Sequence, residues 1–118
     1  MTGETTLLGR ITISPQAIAT IASQAALRSY GVVGMASRNL VDEITNTIAP
    51  DPRHGVEVRA EQDQIFIDLY VIVEYGTRIS IVAASVANSV QYQVERAIGL
   101  PVAQVNVHVQ ALRISNLD

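Results

Sequence analysis

Apolar and polar side chains alternate along three stretches of the chain and recur at helical spacing along three others. Ile65, Ile67, Leu69, Val71 and Val73 point one way, while Phe66, Asp68, Tyr70, Ile72 and Glu74 point the other. Just before them, Val56, Val58 and Ala60 alternate with Glu57, Arg59 and Glu61, and a turn near Gln62-Asp63 joins the two runs into a hairpin. Near the end, Val105, Val107, Val109 and Ala111 alternate with Gln104, Asn106, His108 and Gln110. Period two marks a strand with one buried face. Ile18, Ile21, Ala22 and Ala25 instead form a helical stripe. Ser14 suits its N-cap and Pro15 its first position, so a helix is predicted from Pro15 to about Tyr30. Leu40, Ile44 and Ile48 predict a shorter helix over about 39–49, stopped by Pro50-Asp51-Pro52. Ile79, Val82, Val86, Val90, Val94 and Ala97 predict a long helix from a Thr77 cap to about Ile98, ended by Gly99 and Pro101.

A short strand at Gly9–Ile13 completes the order β-α-α-β-β-α-β. The expected class is α+β, a single domain over residues 9–114 with loose tails at 1–8 and 115–118. The helices should pack on the apolar face of a small sheet and leave its other face open. That open face would carry Arg59, Phe66, Asp68, Tyr70, Ile72, Glu74 and His108.

Composition narrows the function. The chain has 118 residues, 48% of them apolar, which fits one domain with a modest core. The net charge is −3 and all eight basic residues are Arg, scattered from Arg10 to Arg113. Such a chain is a poor default ligand for phosphate backbones, and no basic run would draw it to an anionic membrane. With no Cys there is no disulfide, thiolate nucleophile or Cys-based metal site. The start, MTGETTLLGR, lacks the basic and apolar regions of a signal peptide. No apolar run approaches the ~20 residues of a membrane span. A soluble cytoplasmic protein is expected.

Candidate chemistry is sparse. No GxSxG accompanies the Ser, His and Asp residues, so no catalytic residues are assigned. His54, in a Pro-rich loop, and His108, on a polar strand face, read as solvent-facing. Two isolated His do not suggest a metal site. Asp68 and Glu74 share a strand face but lie about 20 Å apart, too far to act on one bond. No phosphate or dinucleotide loop is present, and no cofactor is expected. Gly31-Val32-Val33-Gly34 between two predicted helices matches the element order of a KH-like RNA-binding module. Val32 and Val33, however, neither neutralise nor donate to a phosphate. The two glycines therefore read as a corner: Gly31 as helix C-cap, Gly34 in a left-handed or crowded backbone. The strip of Phe66, Tyr70 and Ile72 interleaved with Asp68 and Glu74 favours a protein partner or a homo-oligomer, with Arg59 as counter-charge.

YGVVGMASRNL, GVEVR, IDLYVIVEYGTRIS, ANSVQYQVERAIGLPVAQVNVHVQALRI and the opening GRITISPQAI resemble the alkaline shock protein family, the envelope stress response proteins of Gram-positive and related bacteria. The likeness covers about residues 9–114 and is greatest to short members encoded beside a dihydroxyacetone-kinase-like fatty acid kinase. The resemblance implies a small cytoplasmic α/β protein without known enzymatic activity. It also implies envelope association, in some members through a membrane-anchored partner, and a tendency to self-assemble. Family members are often Lys-rich and acidic, whereas this chain has no Lys. A non-enzymatic envelope stress or scaffold protein is the leading expectation. A KH-like RNA-binding module and an accessory to a fatty acid kinase are the alternatives.

Overall fold

The structure is a computed structural model and describes residues 3–6, 9–36 and 55–114. The chain opens with a small antiparallel hairpin of β1 (Gly3–Thr6) and β2 (Gly9–Thr12), in register from Gly3↔Thr12 to Thr6↔Gly9. Strand pairing thus begins within the stretch expected as a tail. Helix α1 (Pro15–Leu27) starts as its sequence predicts, with the Ser14 hydroxyl accepting the Ala17 N–H at 3.1 Å and Pro15 in the first turn. It stops three residues earlier than expected. The Ser29 hydroxyl donates to the Ala25 carbonyl at 3.0 Å, satisfying a terminal acceptor, and the chain turns away.

The segment read as a helix-helix corner is a strand. Val32–Met35 forms β3. Gly31 ends the turn before it at φ +88°, where a Cβ would lie 2.7 Å from Val82 Cγ2. Gly34 is neither left-handed nor crowded: a Cβ there would meet only Ile72 Cδ1, at 3.8 Å. Its partner is Ile72 while that of Val32 is Val73, so Val33 is the extra residue of a β-bulge. Pairing along β5, rather than a phosphate-gripping loop, absorbs the GVVG element. The predicted helix over 39–49 and the Pro50–His54 loop lie outside the described residues.

β5 (Gln64–Glu74) is the spine of the sheet. β4 (Val56–Glu61) runs antiparallel along its first half, from Val56↔Leu69 to Glu61↔Gln64. β3 takes over the same edge along the second half. Gly55 sits at the joint: its carbonyl accepts the Tyr70 N–H at 2.8 Å, and Ala36 N–H donates to the Tyr70 carbonyl at 2.9 Å. At Gly55, φ is +87° and a Cβ would lie 2.5 Å from the Ala36 carbonyl oxygen, so only glycine fits without a shift. The β4–β5 turn has positive φ at both Gln62 and Asp63, the conformation that matches strand twist in a two-residue hairpin loop.

β5 continues through helix α2 (Ile79–Ile98) to β6 (Gln104–Arg113), which lies parallel to β5 on its other edge. A parallel return requires such a crossover. Gly99, left-handed at φ 77°, closes α2. Thr77 does not cap α2; its hydroxyl donates to the Glu74 carbonyl at 2.8 Å, and Arg78 occupies the cap position without a side-chain bond. Ile65, Ile67, Leu69, Val71 and Val73 are buried beneath Ile18 and the alanines of α1 and Val82, Val86, Val90 and Val94 of α2. Both described helices pack on this face. β6 alternates as read up to Val109, then bulges: Val71 pairs with Val109 but Ile72 with Ala111. The slip brings Ala111 opposite Ile72 and Leu112 opposite Val73, where Leu112 stays exposed beyond the packed core.

Candidate functional site on the polar sheet face

On the face turned away from α1 and α2, the register aligns Glu57, Asp68 and Asn106 across three strands, and Tyr70 beside His108. Asp68 is the hub. Its Oδ1 accepts Asn106 Nδ2 at 3.1 Å and lies 3.1 Å from His108 Nε2, while Oδ2 faces Arg59 Nη2 at 3.4 Å. Burial pushes the Asp68 carboxyl up. The bonds from His108 and Asn106, with the charge and bond of Arg59, outweigh it and hold the group below the ordinary value of 3.8. An ionised carboxylate only accepts, so Nε2 of His108 carries the hydrogen.

The network extends outward. Arg59 Nη1 reaches Glu61 Oε2 at 3.2 Å, and its guanidinium lies 5.2 Å from the Phe66 ring centroid. The Tyr70 ring stacks on the His108 imidazole at 4.6 Å and 13°, and its hydroxyl donates to Glu57 Oε1 at 3.3 Å.

This geometry corrects the open face of the sequence reading. Asp68 and Tyr70 are only 9% and 8% exposed, because on a central strand they are flanked on both edges. Phe66, Ile72 and Glu74 are half-buried. Arg59 and His108 keep 47% and 44% of their side chains exposed. The expected counter-charge role of Arg59 is met within the chain by Asp68, whereas Glu74 aligns with Arg113 of β6. His108 is not merely solvent-facing but tied to Asp68. The Asp68–His108 contact was hidden because it depends on the parallel β5–β6 register, which alternation alone does not encode. Chemically, an Asp–His pair is the orienting half of a hydrolytic triad. Here the neighbouring hydroxyl, that of Tyr70, is turned to Glu57 while its ring covers the imidazole face. Among the described residues no group of three or more His, Asp or Glu is placed to hold a metal ion.

The fold is thus an α+β domain whose two described helices cover one sheet face and whose other face carries a polar network centred on Asp68. The chain belongs to the alkaline shock protein/Gls24 family, described as having a cell envelope-related function, and the match spans residues 3–114. It is 47% identical over 113 residues to the uncharacterized protein YloU of Bacillus subtilis (strain 168), covering 94% of each chain. It is 30% identical over 104 residues to a stress response regulator gls24 homolog of Streptococcus pyogenes serotype M3, covering 86% of this chain and 57% of that one. Among solved structures, the copper form of MamM CTD superposes with a TM-score of 0.52 at 18% identity, covering 87% of this chain and 91% of that one. That likeness is one of fold alone. No helix among the described residues is long and apolar enough to cross a membrane.

Proposed function

We propose that the protein is a non-enzymatic scaffold of the cell-envelope stress response that works through protein contacts and self-association on the polar sheet face. The carrying observation is the Asp68 hub. It fixes Arg59 and His108 in place, so the central strands present a cation and an imidazole in set positions between the half-buried Phe66 and Ile72. Groups immobilised before contact lose little freedom on binding, which favours recognition. Family membership supplies the envelope setting, and the gls24 homologs support the stress context. In this reading the protein is cytoplasmic. Its partners are a second copy and either a membrane-anchored protein or a fatty acid kinase, the classes the resemblance implies.

Affinity capture from envelope fractions, run beside RNA crosslinking, tests this reading. Capture of a specific envelope protein that Arg59→Glu weakens at least about tenfold is expected, since reversing a charge at a contact costs more than about 1.4 kcal/mol. RNA crosslinks at Gly31–Gly34 with no captured protein would overturn it.

A further inference from the structure

A second surface forms where β5, α2 and β6 meet, away from the Asp68 network. Six large apolar side chains are exposed there: Tyr30, Tyr75, Ile79, Ile81, Leu112 and Ile114. Tyr30 is 80% exposed and Tyr75 63%. Chain geometry gathers them. The Glu74 N–H donates to the Gly31 carbonyl and the Tyr75 N–H to that of Arg113, each at 2.8 Å. Tyr30, Arg78 and Ile81 line one cleft of about 350 Å³. Scattered apolar residues on a surface need no explanation, but a gathered group marks a contact.

The described charges at this end are positive on balance, which suits an anionic partner. Arg78 and Arg113 sit among the apolar residues, and neither forms an ion pair among the described residues. The N-terminus of α2, the positive end of its dipole, lies here too, without a side-chain cap from Arg78. Glu74, in register opposite Arg113, is the acid described at this end, and the two arginines outnumber it. Glu61 and Asp63 lie at the far end of β5, and Glu95 near the far end of α2. Tyr and Arg carry an apolar body and a polar tip, which suits the boundary between headgroups and acyl chains. Ile79, Ile81, Leu112 and Ile114 supply the apolar insertion.

We propose that this end of the molecule docks directly on an anionic lipid bilayer, with Arg78 and Arg113 on lipid phosphates and the isoleucines at the acyl boundary. The Arg residues are dispersed in sequence, and folding places these two together. The contact is independent of the sheet-face reading, because it uses none of the same residues.

Co-sedimentation with vesicles tests it. Vesicles of phosphatidylcholine with about 30% phosphatidylglycerol, an anionic fraction sufficient for surface attraction, are compared with phosphatidylcholine alone. Binding to the anionic vesicles is expected, falling about tenfold or more in the Arg78→Gln/Arg113→Gln variant. Ile81→Ser, an exposed change that leaves the core intact, should weaken it as well. Equal binding to both vesicle types, no binding to either, or binding unchanged by the Arg substitutions would overturn the proposal. So would attachment to native membranes that protease treatment abolishes while pure lipid vesicles bind nothing, which would assign this end to a protein.

Discussion

Asp68 is the residue on which the polar face turns. Its carboxylate is placed to meet three donors, so its protonation withdraws an acceptor from His108, Asn106 and Arg59 together. Its folded pKa is depressed relative to the unfolded chain. The stabilisation it contributes is therefore fully present above the ordinary carboxylate value and is lost as pH falls through the lowered folded value. Unfolding by denaturant at a series of pH values should show wild type more stable than Asp68→Asn near neutrality. The gap should close in acid below the ordinary Asp range. A gap that is constant with pH would mean that the carboxylate's charge does not hold the network. The sequence places Asp68, Tyr70 and His108 on the right faces, because alternation determines sidedness. It does not reveal their contacts, because those depend on which strands are neighbours and in what register.

At the scale of elements, what is long and periodic is legible. β5, β4, the body of β6 and α2 follow directly from spacing, and α1 from Ser14-Pro15 and its stripe. β3 is not legible. Four residues that include a bulge give no alternation to count, and the flanking glycines mimic a corner. The joint at Gly55 is equally hidden, because the need for glycine arises from Ala36 and Tyr70, distant in sequence. Glycine requirements differ accordingly. Gly55→Ala forces a Cβ against a backbone oxygen at a left-handed φ and should destabilise by about 1–3 kcal/mol. Gly34→Ala, with only an ordinary contact to Ile72 ahead of it, should stay within about 0.5 kcal/mol of wild type. Thermal melts of the two variants check this. Equal losses would mean that β3 and β4 do not share the edge of β5 as described.

At the scale of the molecule, the two described helices shield one face of the sheet, and the other carries the Asp68 network with Phe66 and Ile72 half-buried. In the scaffold reading this face meets a second copy. Burial of apolar area yields about 25 cal/mol per Å² before the losses of association, so two such side chains per copy favour a weak, concentration-dependent dimer over an obligate one. A symmetric contact uses the same patch twice, so a change on one chain acts on both sides. Tyr70 is not a suitable probe of this contact, because it is buried and stacked on His108. Phe66 and Ile72 are better placed. Light scattering across a dilution series is the most direct measurement of the central claim. The weight-average mass should rise with concentration toward that of a dimer, and Phe66→Ser/Ile72→Ser should remain monomeric with its circular dichroism unchanged. A wild type that stays monomeric at the highest concentration, or a folded double variant that associates as wild type does, would contradict it.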